Sequence, residues 1–184
     1  MKFVPNNTYH IFNQGNNRER LFHKDDHYQD FMELFQSYVA PHCHVLCWCL
    51  MPNHFHFLIH TDTRVKEKKK QGGLLLDPVT NGFRKLLSAY SHRYNLENSR
   101  TGALFRPKTK SKSITDEVPV KESGLSNIEY FTQCFHYIHN NPVAANLATD
   151  PGDWKWSSYR FYNGKRKNSF CNKDLAYKFL GIKD

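Results

Sequence analysis

The sequence predicts an α+β fold: a ferredoxin-like antiparallel sheet with helices on one face, followed by a C-terminal helical extension. Three observations predict it. Strand-like and helix-like segments follow one another in the order β-α-β-β-α-β, and a further helix comes after them. Residues 43–60 read as two apolar strands joined by the tight turn Met51-Pro52-Asn53. The chain has 184 residues, 39% of them hydrophobic and 15% aromatic, which is enough material for one buried core. Residues 1–150 are expected to form one domain, and residues 151–184 an aromatic, basic extension packed on it.

Thr8 to Asn13 reads as a short strand, and Gly15-Asn16-Asn17 as the turn after it. Asp25 and Asp26 are candidate caps for a helix that places Tyr28, Phe31, Met32, Leu34, Phe35 and Tyr38 at helical spacing, and Pro41 stops it. From Cys43 to Leu50 both alternating faces are apolar: Cys43, Val45, Cys47 and Cys49 on one, Leu46, Trp48 and Leu50 on the other. That pattern suits a strand in the middle of its sheet. His54 to His60 returns as the second strand of the hairpin. Arg64 to Gln71, followed by Gly72-Gly73, reads as a solvated loop, and Val79 to Tyr94 as an amphipathic helix with Phe83, Leu86, Leu87 and Tyr90 on one side. Ala103 to Ser113 reads as a basic strand, and Thr115 to Ser126 as a polar, flexible connection. Ser126 or Asn127 caps a helix expected to reach about Asn140, because the residue before Pro142 avoids the α region.

Lysine and arginine number 26 against 17 acidic residues, a formal charge of +9 with an isoelectric point near 9.3. Such a field favours polyanionic partners, of which nucleic acid is the commonest. No run of about 18 apolar residues is present to span a membrane, and Met1 to Tyr9 lacks the basic-then-apolar pattern of a signal peptide. The five cysteines are an odd number, so reduced thiols and a cytoplasmic location are the expectation.

The sharpest local feature is His54-Phe55-His56. On a strand, alternate residues share a face, so both imidazoles emerge together about 6–7 Å apart at the backbone while Phe55 points into the opposite layer. Two ring nitrogens at that spacing can converge on one cation; two ordinary histidines near a strand edge are the plain alternative. A zinc site at His42-Cys43-His44 with Cys47 and Cys49 is disfavoured. There is no Cys-x-x-Cys pair, and the cysteines occupy a strand face where small hydrophobes belong.

The run Trp48-Cys49-Leu50-Met51-Pro52-Asn53-His54-Phe55-His56-Phe57-Leu58-Ile59 resembles the histidine–hydrophobic–histidine (HUH) hairpin of REP-associated tyrosine transposases. These are relatives of the single-strand transposases of small bacterial insertion sequences. Tyr137-Ile138-His139-Asn140-Asn141-Pro142-Val143 and Trp156-Ser157-Ser158-Tyr159 resemble further blocks of the same family, as do Gly102-Ala103-Leu104-Phe105 and Asn13-Gln14-Gly15-Asn16. The resemblance runs from about Tyr9 to Tyr162.

This resemblance implies that Tyr137 is the nucleophile, that His54 and His56 hold a divalent metal, and that Asn141, one helical turn after Tyr137, is a third ligand through its side-chain oxygen. Two imidazoles and an oxygen, with waters, suit Mg²⁺ or Mn²⁺ better than structural Zn²⁺. The implied reaction is metal-dependent cleavage of single-stranded DNA at hairpins or repeats, and strand transfer through a 5′-phosphotyrosine. A phenol ionises only near pH 10, so such a nucleophile needs charge stabilisation at the phosphate. Arg84, Arg106, Lys108, Lys110, Lys112 and Arg160 are candidate phosphate contacts, and each is as readily a solvated charge. The implied partner is single-stranded or hairpin DNA, met by a monomer or a homodimer. Thr61 to Pro78 and Thr115 to Ser126 look longer than the family pattern. A domesticated hairpin-DNA-binding protein without cleavage is the runner-up reading, and a metal-dependent nuclease using water the third.

Overall fold

Alternation along four strands sorts the side chains into two apolar layers, and that sorting positions everything else. The computed structural model of the protein describes residues 1–114, 125–167 and 169–182. In chain order the elements are β1 (Thr8–Gln14), α1 (Asp25–Tyr38), β2 (His44–Met51), β3 (His54–His60), β4 (Lys69–Gln71), β5 (Leu74–Leu76), α2 (Pro78–Glu97), β6 (Lys110–Ser113), α3 (Asn127–Ala144), α4 (Tyr159–Tyr162) and α5 (Lys173–Leu180). The main sheet has the order β2-β3-β1-β6, and every pairing in it is antiparallel. With α1 and α2 as its two crossovers, this is the ferredoxin-like connectivity that the element order predicts.

Odd-numbered residues of β1 and β3 face α1 and α2. Ile11, Phe55 and Phe57 are fully buried there with Phe22, Phe31, Phe35 and Phe83, and Phe35 stacks on Phe57 at 3.9 Å between centroids. Each such ring contributes about 1.5–3 kcal/mol on burial. Gly82 sits where α2 crosses the end of α1; a Cβ there would lie 2.2 Å from the Tyr38 carbonyl oxygen, so only glycine allows this approach. The opposite face packs Leu46, Cys47, Cys49, Met51 and Leu58 against Phe131, Phe135 and Ile138 of α3 and Ala176 of α5. Even-numbered residues of β1 and β3, including His10, His54 and His56, lie on this α3 side.

Several local expectations are corrected. β2 is an edge strand of the four, not a central one. Its apolar pattern arises because both faces are covered and its open edge is taken by the C-terminal segment. Leu50 N–H donates to the Trp156 carbonyl (2.8 Å), Ser158 N–H to that of Trp48 (3.0 Å), and Asn172 N–H to that of Val45 (2.8 Å). A bulge between Val45 and Cys47 breaks strict alternation, so Val45 faces α1 while Cys47 and Cys49 face α3. The basic strand expected from Ala103 shrinks to Lys110–Ser113, with Phe105 making only an isolated bridge to Gly15. The solvated stretch after Arg64 contains the β4–β5 hairpin, whose turn residues Gly72 and Gly73 both take positive φ (56° and 82°).

Asp25 and Asp26 fall in the first turn of α1 rather than at its cap, where their charge complements the helix dipole. α3 begins with the Ser126–Glu129 capping box and runs through Pro142 to Ala144. Proline removes one N–H in the last turn of the helix, and Leu147 N–H bonds back to the Pro142 carbonyl (2.8 Å) beyond it. The connection expected over Thr115 to Ser126 lies, apart from its last two residues, outside the described residues. No helix among those described is long and apolar enough to cross a membrane.

Candidate active site

The two histidines of the hairpin begin β3, at its first and third residues, and project toward α3. Each has its Nδ1 committed. His54 Nδ1 lies 2.6 Å from Asn53 Oδ1, which can only accept, so Nδ1 carries the proton and Nε2 keeps a lone pair. His56 Nδ1 lies 2.8 Å from Nε2 of His10, which reaches it from β1, and His56 Nε2 is buried with no partner among the described residues. The two rings are perpendicular, 5.0 Å apart.

Burial holds His56 far below the ordinary histidine pKa, and the neighbouring His10 and His54 act in the same direction. Burial also lowers His54. His10 is lowered to about 4, first by burial and then by the charge of Lys112. All three rings are therefore neutral near pH 7, the protonation state in which imidazole binds a cation. An oriented Nδ1 with a free Nε2 is also how metal-binding histidines are held in general.

α3 brings Tyr137 over this pair. Tyr137 is 53% exposed, and its ring meets His56 edge-on at 5.6 Å and His10 at 6.1 Å. Tyr137, His54 and His56 line a cleft of about 310 Å³, and Arg106, Lys108 and Lys110 line its rim. Among the predicted phosphate contacts these three are at the cleft. Lys112 is one strand position pair further on, directly opposite His10, with its ammonium over the Tyr130 ring at 5.1 Å. Arg84 lies on α2 and donates to Asn81 Oδ1, and Arg160 lies on α4; neither lines the cleft. Asn141 donates its side-chain amide to the Tyr137 carbonyl (2.9 Å), leaving its amide oxygen as an acceptor, and it does not line the cleft.

The sequence reading missed His10, Asn53 and Gln14. The signal was present for His10, which lies within the predicted first strand, whereas Gln14 falls one residue beyond its predicted end. Their meeting with His54 and His56 depends on the β1–β3 pairing, in which Gln14 opposes His54 and Phe12 opposes His56. The cysteines of the 43–49 region are buried, and burial pushes the Cys43 thiol up to about 12.

Residues 3–70 match the model of the IS200-like transposase family, a stretch that spans β1, α1 and the whole histidine hairpin. Among solved structures the chain is similar to a REP-associated tyrosine transposase bound to a REP hairpin. The TM-score is 0.60 at 13% identity, over 92% of this chain and 87% of the other. At that identity the likeness establishes a shared fold, and the four-stranded antiparallel sheet with its helices is the fold of that transposase. No curated protein sequence matches the chain significantly.

The residues present fit a divalent cation. Two neutral imidazoles offer free Nε2 atoms, and the His56 atom is buried without a partner. No cluster of three His, Cys, Asp or Glu side chains suited to a metal occurs among the described residues. Further ligands would then be amide, phosphate or water oxygens, a set that suits Mg²⁺ or Mn²⁺.

Proposed function

We propose that this chain is a metal-dependent single-tyrosine transposase that cuts and rejoins single-stranded DNA at hairpins or repeats. One observation carries the reading: the exposed Tyr137 stands edge-on to His56, whose Nε2 is buried and unpartnered, in a cleft rimmed by three cations. Bound at His54 and His56, with Asn141 as a candidate third ligand, a divalent ion would neutralise charge developing on the scissile phosphate.

Arg106, Lys108 and Lys110 hold the phosphates on either side, and Tyr137 attacks phosphorus through its phenolic oxygen. The bond formed is tyrosyl oxygen to phosphorus; the bond broken is phosphorus to the 3′-oxygen, which leaves with a proton as a free 3′-hydroxyl. The product is a 5′-phosphotyrosine. A second 3′-hydroxyl attacking that ester reverses the step, so rejoining conserves the phosphodiester without ATP.

The test is a denaturing gel of 5′- and 3′-labelled hairpin DNA incubated with the protein and Mg²⁺ or Mn²⁺, beside Tyr137→Phe. Transfer of label to the protein, lost in the variant, is the expected result. A second reading, a hairpin-binding protein without cleavage, is favoured by the Asn141 amide being tied into its own helix. Tight binding with no adduct across metals and several hairpins would establish it. Clean cuts with no adduct would mean hydrolysis by water.

A further inference from the structure

Tyr137 has a second hollow on its other side. A pocket of about 430 Å³ opens between the exposed face of α3 and Tyr159 at the start of α4. Its size is within the range of small-ligand sites, about 300–1,000 Å³. Gln133, His136, Tyr137 and Asn140 enter it together because they recur at i, i+3, i+4 and i+7 on α3, and all four are exposed.

The chemistry of this pocket differs from that of the first cleft. The cleft is rimmed by Arg106, Lys108 and Lys110, whereas among the described residues no Lys, Arg, Asp or Glu lines the second pocket. A lining without Lys, Arg, Asp or Glu gives a phosphate or a metal ion no fixed counter-charge. What it offers is flat aromatic surface from Tyr137 and Tyr159, and two primary amides, Gln133 and Asn140. Each amide presents both a donor and an acceptor.

His139 lies beneath, buried. Ser158 fixes its tautomer. The Ser158 hydroxyl accepts from Trp48 N–H (2.9 Å) and donates its one proton to the Trp48 carbonyl (3.2 Å), so His139 Nε2 donates to it (2.8 Å). His139 Nδ1 is then a buried acceptor, without a partner among the described residues.

We propose that this pocket receives an unpaired nucleobase of the DNA strand, next to the phosphate that Tyr137 attacks. Tyr137 and Tyr159 supply the stacking surface, and Gln133 and Asn140 read the base edge. This rests on the strand-transfer reading and adds to it a specificity site: the cationic cleft takes the backbone and the neutral pocket takes one base. Because Tyr137 lines both, seating the base fixes the register of the strand at the nucleophile.

The experiment separates the pocket from the chemistry. Tyr137→Phe protein, which keeps the ring and cannot form the ester, is titrated with hairpin DNA whose single-stranded flank carries one abasic site, moved a nucleotide at a time. One position is expected to weaken binding about tenfold, the scale of losing one base stacked on an aromatic ring. A fluorescent 2-aminopurine at that position should change its emission on binding. Both effects should shrink when Tyr159→Ser is added, which removes half of the stacking surface, and any preference among the four bases at that position should be lost with Gln133→Ala and Asn140→Ala, two exposed positions whose truncation leaves the core intact. An abasic site that costs the same small amount everywhere, or a position effect unchanged by Tyr159→Ser, overturns the proposal. The wild-type adduct gel reports the strand-transfer reading independently, since binding by the Tyr137→Phe protein requires no cleavage.

Discussion

Acid should unfold this protein well before its carboxylates protonate, because it buries neutral histidines. His10 is lowered from 6.5 to about 4 and His139 to about 3, in both cases chiefly by burial. The sign follows from the direction. A histidine whose folded pKa is depressed binds its proton in the unfolded chain first, so the stability it allows is complete above 6.5 and is lost as pH falls toward the folded value. With 1.36 kcal/mol per pH unit, His10 and His139 should each remove about 2 kcal/mol between pH 7.5 and pH 5. His54 and His56 are lowered too and act in the same sense. A loss of about 4 kcal/mol from the first pair alone is a large part of a typical domain's 5–15 kcal/mol. The shifted carboxylates, Asp25, Asp62, Glu97 and Glu129, are all lowered and lose their contribution only below about pH 4.5, outside this window. Urea unfolding followed by tryptophan fluorescence, in EDTA at pH 7.5, 6 and 5, measures it. A midpoint that does not fall between pH 7.5 and pH 5 would refute the claim that these rings are buried and neutral.

Three further outcomes test other links. His10→Phe keeps an aromatic of similar size but deprives His56 Nδ1 of its partner. Mn²⁺ affinity by calorimetry should fall about 10- to 100-fold, and an unchanged affinity would remove His10 from the site. Gly82→Ala places a methyl group 2.2 Å from the Tyr38 carbonyl and should cost about 1–3 kcal/mol in urea unfolding, whereas a neutral result would mean the two helices separate easily. Ser158→Ala leaves Trp48 N–H and His139 Nε2 without their shared acceptor and should cost about 1–3 kcal/mol, with a midpoint equal to wild type counting against the network.

What was legible in the sequence was what short-range pattern determines. The order of the main elements along the chain, the 43–60 hairpin and the shared side of His54 and His56 follow from periodicity and turn chemistry. The partners of those histidines were not legible, because His10 becomes a neighbour of His56 only through the pairing of β1 with β3, 46 residues apart in sequence. The misplacement of β2 has the same origin. A strand apolar on both faces reads as central, yet here the third side is closed by residues 156–172, which no local pattern assigns to a sheet edge. Pro142 misled for the opposite reason: the rule that proline ends helices is local, and a last turn can tolerate one missing N–H. Lys108 and Arg106 reach the cleft from a loop although their even spacing suggested a strand, so the residues were legible and their geometry was not.

The placement of Tyr137 depends on more than its own helix. α3 touches the sheet chiefly through Phe131, Phe135 and Ile138, an apolar seat that permits sliding. Hydrogen bonds resist sliding, and among the described residues one such tie runs from His139 through Ser158 to both backbone groups of Trp48. Trp48 lies in β2, whose partner strand carries His54 and His56, directly across from Met51 and Cys49. The tyrosine and the histidine pair are therefore held in register by a serine of the C-terminal segment, which also closes the edge of β2. A segment that contributes none of the residues lining the histidine cleft thus sets the distance between the candidate nucleophile and the candidate metal ligands.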